Sequence, residues 1–434
     1  MTPTTNDNVT QPSAGRLLGV YPQKQAGVFM QRVKIFGGRM GWRQWRRVAE
    51  LAAACSSDFP LHVTTRQNVE LHNILAEDIP VVQQGLAEVA LTTFGACGDS
   101  LRNITVCPAC DFCGNGLDLM PLAQLVRRHL ERSPAIFNLP RKFKISFSGC
   151  EQACARPWLS DLGFIAKPGG LFSVVGAGSL GGKPALGIPL YSDMPTKDVL
   201  PVCVAAIEFF VEYGDRQNRR RARFRHVREK LGDEAFRAEL QTRLSRLKRR
   251  QPWPDVLLPA GRNGISLLSR LQLPNGNISP MSALELADVA EPKGALLRIN
   301  IEQGLELHGK EAIKLPDDLE AFTKNPVIVA CPGSATCPRG LGDCWATAEK
   351  IREALGGSSQ SDMRINISGC PNNCAHSAVA DIGLVGMLRK ENGEPVQCYR
   401  LLRGGGNGRT DQLAEQSHIV RAEDVPATVK RLLE

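Results

Sequence analysis

The sequence predicts an internally duplicated α+β protein. Three observations carry this prediction: motifs that recur in the same order, a mixed strand and helix pattern in each half, and two matching sets of cysteines. The chain has 434 residues, of which 43% are hydrophobic and 22% charged. This composition is that of ordinary globular proteins and excludes a collagen-like, coiled-coil or mainly disordered architecture. The length corresponds to about two to four domains.

Four features recur in the two halves at a distance of about 220 residues, which is too long for a solenoid repeat. The first feature is a segment in which Gln67, Glu70 and His72 align with Gln303, Glu306 and His308. It is followed by a C-x5-C pair, an S-G-C-x3-C motif and an apolar strand, at 107–113, 148–154 and 161–165 in the first half and at 331–337, 368–374 and 381–385 in the second. The shared order implies internal duplication.

Hydrophobic periodicity assigns elements to the first half. It predicts a strand at 27–36, an amphipathic helix from Gly41 to Cys55, strands at 59–65 and 69–75, and a helix at 79–92. That order is the order of a small ferredoxin-like unit. Further along, it predicts strands at 143–148 and 161–166 around the second cysteine pair, and charged helices over 196–247.

These elements give the predicted domain boundaries. They are a flexible tail (1–15), a ferredoxin-like half-domain (16–94), a first cluster-binding domain (95–247), a proline-marked linker (248–264), a second ferredoxin-like half-domain (265–324) and a second cluster-binding domain (325–434). The polar tail has no apolar segment typical of a secretory signal. No apolar run approaches the roughly 20 residues that span a bilayer. We therefore expect a cytoplasmic protein without a membrane partner.

Cysteine spacing is the strongest chemical pattern in the sequence. Eight of the 14 cysteines form two matching sets: Cys107, Cys113, Cys150 and Cys154, then Cys331, Cys337, Cys370 and Cys374. Because no export signal is visible, a disulfide scaffold is disfavoured. The spacing predicts metal or iron–sulfur ligation, and zinc is the weaker option because structural zinc sites use closer cysteine pairs. The additional cysteines Cys110 and Cys344 lie close to these sets, and the sequence leaves their roles open.

Basic residues form the second pattern. The formal charge of +9 indicates attraction to an anionic substrate, an anionic cofactor or an acidic partner. The basic run 219–223 is interpreted as a solvated linker face or an internal clamp, and no nucleic-acid partner is expected. Lys142 and Lys144 share one face if they lie on a strand. Together with Arg66 and Arg102 they would form a pocket of two guanidinium and two ammonium groups, which suits a small oxyanion.

The segments 64–72, 99–103, 139–144 and 214–219, with the second-half cysteine motifs, resemble the siroheme-dependent sulfite and nitrite reductase family. The resemblance covers nearly all of residues 16–434. It implies two ferredoxin-like half-domains and two pseudo-symmetric siroheme- and cluster-binding α/β domains. It also implies a [4Fe–4S] cluster on Cys331, Cys337, Cys370 and Cys374, with Cys374 bridging to the siroheme iron. Arg66, Arg102, Lys142 and Lys144 would line the face where sulfite or nitrite binds.

The activity implied by the resemblance is the six-electron reduction of a small oxyanion. Sulfite reduction to sulfide is preferred because Lys144 resembles the sulfite-type members, and nitrite reduction to ammonia is the alternative. Two further alternatives are a precorrin-3B synthase-like enzyme and a non-catalytic electron-transfer subunit. Because the chain has neither a dinucleotide-binding motif nor a flavin domain, we expect ferredoxin or a separate flavoprotein to supply electrons.

The first-half cysteines depart from the family pattern, which keeps cluster cysteines in the second half. Alignment of the halves places Glu302 opposite Arg66, Pro326 opposite Arg102 and Asp362 opposite Lys142, so that only Arg364 retains the charge of its counterpart, Lys144. An acidic pocket would repel an anion. We therefore expect one anion site, and a second cluster on the first-half cysteines without an anion site of its own.

Overall fold

The computed structural model describes residues 12–56, 59–112, 117–259, 261, 264–356 and 362–434. The strands of the first half are β1 (Val20–Pro22), β2 (Val28–Val33), β3 (Arg39–Met40), β4 (Leu61–Val63), β5 (Val69–Leu75), β6 (Thr105–Val106), β7 (Ile145–Ser148), β8 (Leu162–Lys167), β9 (Leu171–Gly176) and β10 (Ile188–Pro195). Its helices are α1 (Pro12–Leu17), α2 (Trp42–Cys55), α3 (Ile79–Ala87), α4 (Met120–Leu130), α5 (Thr196–Tyr213), α6 (Phe224–Leu231) and α7 (Asp233–Arg250).

The second half repeats this plan with fewer helices. Its strands are β11 (Ser266–Leu271), β12 (Asn277–Ile278), β13 (Leu296–Ile299), β14 (Leu305–Gly309), β15 (Ile328–Ala330), β16 (Ile365–Ser368), β17 (Ile382–Glu391), β18 (Glu394–Arg403) and β19 (Glu415–Arg421). Its helices are α8 (Pro280–Ala290), α9 (Asp317–Ala321), α10 (Cys344–Ala354) and α11 (Val425–Leu433). Among the described residues, every helix is too short or too polar to span a lipid bilayer.

The two ferredoxin-like units exchange short strands. The strand orders are β1-β2-β5-β4-β12 and β11-β14-β13-β3, so each half contributes a two-residue strand to the other half's sheet. Gly38 directly precedes β3 and Gly276 directly precedes β12, and their φ angles are 68° and 73°. A Cβ at Gly276 would approach the Val63 carbonyl oxygen to 2.6 Å, so the close crossing requires glycine. The exchange joins the two units around one core.

Helix packing reinforces that shared core. The apolar face of α2 buries Trp45, Val48, Ala49 and Ala52, as its periodicity predicts. The Trp45 indole nitrogen donates a hydrogen bond to the Ala283 carbonyl of α8 at 2.8 Å, which satisfies its only polar atom. This hydrogen bond holds α2 against α8, its counterpart in the second half.

The two larger sheets have the same topology, with orders β10-β9-β8-β7-β6 and β15-β16-β17-β18-β19. In each, three parallel strands are followed by antiparallel ones. The C-x3-C turn leaves the central parallel strand, β7 or β16, in both sheets. Equivalent positions of the two sheets therefore present the two cysteine turns. The first sheet is also covered by α5, α6 and α7, which pack a cluster of buried phenylalanines against β7.

Three predicted boundaries differ from the structure. Helix α3 ends at Ala87 rather than 92, and Ala90 just beyond it adopts a left-handed φ of 56°. The predicted helical region 196–247 is divided into three helices, and α7 continues to Arg250 inside the predicted linker. Lys142 and Lys144 lie just before β7, not on it, because the sequence there pairs with Leu101 only through an isolated bridge at Phe143.

Candidate functional site

The second cysteine set is shaped by the turns that follow β15 and β16. The Cys331 amide donates to the Ile367 carbonyl at 3.1 Å, which places its side chain beside the C-x3-C turn. The Gly369 amide donates to the Cys331 sulfur at 3.2 Å. A Cβ at Gly369 would meet the Gly333 Cα at 2.7 Å, so the glycine of S-G-C allows the two loops to touch.

Electrostatics show that the four second-half thiols face one another. Burial, and after it the charge of Cys331, raise the pKa of Cys374 to about 12; Cys370 and Cys337 add to this shift and Lys142 opposes it. Burial also raises the pKa of Cys370 and Cys337, and Cys331 adds to both shifts. A hydrogen bond from Cys344, followed by backbone amides, lowers the pKa of Cys331 to about 7.

The spacing of these sulfurs distinguishes between metal centres. No three of them lie within 4.8 Å of one another. A tetrahedral zinc ion with Zn–S bonds of about 2.3 Å would draw its sulfurs to roughly 4 Å apart. The four thiols are therefore not arranged as a tight zinc site, and a [4Fe–4S] cluster, which is a larger centre, is ligated by four thiolates.

The four predicted cations lie close to one another, and Lys142 also lies near Cys374. Burial lowers the pKa of Lys142 to about 7, and the next influences are Arg223, which lowers it, and Cys374, which raises it. Burial and then Arg102 lower the pKa of Arg66 to about 9. The pKa of Lys144 falls well below its usual value through burial, Arg66 and Lys142. Like charges held this close create a strong positive field.

Local packing explains how these side chains are aimed. Phe143 is fully buried among Phe210 and Phe224, so the flanking Lys142 and Lys144 both turn the other way. The Lys144 amide donates to Asp161 Oδ2 at 2.8 Å, which fixes the backbone at that point. Among the described residues, neither lysine ammonium group makes a hydrogen bond or an ion pair.

The two arginines are held by backbone carbonyls. Arg102 donates to the Ala96 carbonyl through Nε at 3.1 Å and Nη2 at 2.7 Å. Arg66 donates to the Asn103 carbonyl through Nη2, and its buried Nε has no protein partner among the described residues. Neutral carbonyl partners orient these guanidinium groups without cancelling their charge.

Sequence reasoning did not assign two neighbours of this cation group. Arg223 is buried and donates to Asp161 Oδ2 at 2.8 Å, and its charge acts on both lysines. It ends the basic run 219–223. Ala222, the apolar residue inside this run, is a sign in the sequence that the chain turns inward here, and it is buried in the structure. His376 is buried, and burial lowers its pKa well below the usual value; the charges of Arg156, which lies 2.8 Å from its Nδ1, and then of Lys144 and Arg66 lower it further. No pattern in the sequence pointed to it.

The first cysteine set is described only in part, because Cys113 lies outside the described residues. Cys107, Cys150 and Cys154 occupy the positions of Cys331, Cys370 and Cys374 in the duplicated sheet. The extra cysteines also correspond: Cys110 hydrogen-bonds to Cys107, and Cys344 hydrogen-bonds to Cys331. Cys110 and Cys344 thus act as partners of the first cysteine in each set.

The pseudo-symmetric counterpart of the cation group contains a carboxylate among its arginines. Glu302, opposite Arg66, accepts from Arg364 Nε at 2.6 Å and from Arg156 Nη2 at 3.3 Å, and Arg409 lies 3.9 Å away. These guanidinium groups outweigh the effect of burial and lower the pKa of the Glu302 carboxyl. This site already contains its own anion.

The residues present fit the cofactors that the resemblance implies. Cys331, Cys337, Cys370 and Cys374 offer a set of thiolate ligands suited to iron. Siroheme carries carboxylates, which cations without carboxylate partners can bind. Arg66 is such a cation, and its buried Nε, which has no hydrogen-bond partner among the described residues, can donate to such a group. Arg223 pairs with Asp161 through Nη2, but its Nε is likewise without a hydrogen-bond partner among the described residues.

Comparisons with known proteins agree with this geometry. The family described as "Nitrite and sulphite reductase 4Fe-4S domain" matches residues 97–248 and 323–434. The "Nitrite/Sulfite reductase ferredoxin-like half domain" matches residues 21–89. The chloroplastic ferredoxin–nitrite reductase of Arabidopsis thaliana is 30% identical, with 92% of this chain and 74% of the relative covered.

Two further similarities extend across the chain. The assimilatory ferredoxin-dependent nitrite reductase of Haloferax mediterranei is 29% identical, with 96% of this chain and 81% of the relative covered. The solved structure of the Mycobacterium tuberculosis NirA protein superposes with a TM-score of 0.79 at 23% identity, covering 96% of this chain and 86% of the other, and shows the same fold. The chain therefore belongs to the nitrite and sulphite reductase family, oxidoreductases that use a [4Fe–4S] cluster together with siroheme.

Proposed function

We propose that this protein reduces nitrite to ammonia with electrons from ferredoxin. The observation that carries the proposal is that Arg66, Arg102, Lys142 and Lys144 lie close to one another, with Lys142 near Cys374. Both lysine ammonium groups are free to bind an anion, and all four side chains are half-buried. A small oxyanion placed there gains charge-assisted hydrogen bonds and relieves the repulsion among the cations.

The protein's own residues would bind and orient the anion and deliver protons to it. The guanidinium groups of Arg66 and Arg102, oriented by backbone carbonyls, offer directed N–H donors to its oxygens. Lys142 Nζ, with a pKa of about 7, can hold or release a proton near neutral pH. Donors fixed before the reaction stabilise charge that develops during it. Siroheme and the cluster, when bound, supply the electrons that no side chain can provide.

The relatives favour nitrite over sulfite. The Arabidopsis and Haloferax relatives are ferredoxin-dependent nitrite reductases, which supports the alternative that the sequence ranked second. Sulfite remains the second candidate because of Lys144, whose ammonium group adds positive charge for a dianion. The formal charge of +9 supports an acidic electron donor such as ferredoxin over a neutral one.

Parallel kinetics on the holoenzyme test this proposal. With reduced ferredoxin as donor, we expect ammonia as the product and a kcat/KM for nitrite at least about tenfold above that for sulfite. Reduced methyl viologen in place of ferredoxin separates a donor mismatch from a substrate mismatch. A higher kcat/KM for sulfite would favour the second candidate, and turnover of neither anion by siroheme-loaded protein would contradict both.

A further inference from the structure

We infer that the first repeat holds a second iron–sulfur cluster, ligated by the thiolates of Cys107, Cys150 and Cys154. These three cysteines lie outside the anion site and have no role in the proposed reaction there. Cys113 completes the same spacing in the sequence but lies outside the described residues. The inference therefore rests on the three described thiols.

The loop that carries Cys107 has the hydrogen bonds of its counterpart. The Cys107 amide donates to the Phe147 carbonyl at 3.0 Å, and the Gly149 amide donates to the Cys107 sulfur at 3.2 Å. The corresponding distances around Cys331 are 3.1 and 3.2 Å. The matched hydrogen bonds show that the Cys107 loop has the backbone arrangement of the Cys331 loop.

The turn between Cys150 and Cys154 also keeps the geometry of the second repeat. The Ala155 amide donates to Ser148 Oγ at 3.2 Å, as the Ala375 amide does to Ser368 Oγ at the same distance in the second repeat. Ala153 holds a left-handed φ of 50° and Arg156 one of 53°. Such a conformation costs a non-glycine residue about 1 kcal/mol or more. The first repeat thus keeps a turn that costs conformational free energy and that positions the thiols of Cys150 and Cys154.

The loop that carries Cys107 touches the turn that carries Cys150 and Cys154. A Cβ at Gly149 would lie 3.0 Å from the Cys110 Cβ, so the glycine of S-G-C lets the two segments approach, as Gly369 does in the second repeat. The described thiols of Cys107, Cys150 and Cys154 therefore lie on two adjoining segments, as those of Cys331, Cys370 and Cys374 do.

A rival metal site nearby is already occupied by an arginine. Cys110, Asp111 and Asp118 place their ligand atoms within 4.8 Å of one another. The Arg39 guanidinium, however, lies 3.0 Å from Asp111 and 2.7 Å from Asp118. A cation in that position excludes a metal ion from the same three ligands. This leaves Cys110 as a hydrogen-bond partner of Cys107.

Iron and acid-labile sulfide analysis of the anaerobically purified full chain tests the inference. We expect about eight cluster irons per chain, about four for each cluster, in addition to the siroheme iron. Cys150→Ser should lose about half of the cluster iron and sulfide while the visible siroheme bands remain. Cys55→Ser, which changes a half-buried cysteine outside both sets, is the matched control and should keep the full content.

Two results would overturn the inference. One is about four cluster irons in the unsubstituted protein, with the same content in Cys150→Ser. The other is zinc in place of the additional iron. If Cys150→Ser does not fold, the metal content of the unsubstituted protein decides the question alone. Nitrite turnover does not enter this test, so its outcome is independent of the proposed function.

Discussion

The two repeats share a backbone frame and differ in the charge placed on it. The amides of Lys144 and Arg364 each donate to an aspartate, Asp161 or Asp381, at 2.8 Å. Beyond these matched contacts the sites diverge. The first repeat gathers cations whose lysine ammonium groups have no partner among the described residues, whereas Glu302 of the second half binds Arg364 and also Arg156 from the first repeat.

This difference shows what duplication leaves free to change. Glu302 stands where the first repeat has Arg66, and its carboxylate occupies the place that an external anion would take. Together with the differences at the other aligned positions, this exchange separates a site that can accept a substrate from one that already holds a carboxylate. Substitutions in either repeat test whether this difference determines where the anion binds.

The largest effect is expected from removing a second-repeat ligand. Cys370→Ser should abolish nitrite reduction, because the cluster and the adjoining siroheme would lose their shared support. Cys150→Ser, at the equivalent first-repeat position, should retain siroheme. Visible spectra, iron content and ammonia production measured on both variants check the contrast. Retained siroheme and turnover in Cys370→Ser would contradict the assignment of the second set.

A smaller, though still large, loss of nitrite turnover is expected from a substitution in the cation group. Lys144→Ala should lower kcat for nitrite by about 10²- to 10³-fold, the usual effect of losing one donor to developing charge. Iron and siroheme content should be unchanged. Lys167→Ala, which removes a surface lysine paired with Asp193 at 3.0 Å, is the control and should keep full turnover. Parallel loss of turnover and siroheme in Lys144→Ala would instead indicate a structural role.

On the opposite side, Glu302→Gln should destabilise the fold. The substitution leaves Arg156, Arg364 and Arg409 together without their carboxylate, and breaking a buried ion pair costs about 3 kcal/mol. We expect a lower thermal midpoint with nitrite turnover retained at low temperature. Glu311→Gln, in an exposed pair with Lys293, should leave the midpoint almost unchanged. An unchanged thermal midpoint in Glu302→Gln would mean that the ion pairs of Glu302 contribute little to the free energy of unfolding.

The sequence predicted much of this contrast because it lies in aligned motifs. The duplication, the α+β class and the charge reversal at Arg66 and Glu302 follow from residues at matching positions. The exchanged strands β3 and β12 could not be predicted, because two-residue segments carry no periodicity and pair only through tertiary contacts. Arg223 was hidden inside a basic run whose other members face outward, and His376 reaches the cation group only through the turn after Cys374.

The smallest predicted effect is a difference in stability between substitutions of two buried glutamines, Gln67 and Gln303. Gln67 makes three hydrogen bonds, to the Val106 amide and carbonyl and the Ile299 carbonyl. Gln303 makes two, to the Ala330 amide and His62. Both residues have a left-handed φ, so that cost is common to both. Gln67→Met should therefore destabilise more than Gln303→Met, by about 1 kcal/mol in urea unfolding. Equal losses would show that the first-repeat contacts add nothing.

The most direct test of the central claim is a crystal structure of the siroheme- and cluster-loaded enzyme soaked with nitrite. Our account predicts the anion within hydrogen-bond distance of Arg66 and Lys144, next to Cys374, and no anion beside Glu302. An anion bound elsewhere, with the four cations occupied only by cofactor carboxylates, would contradict it.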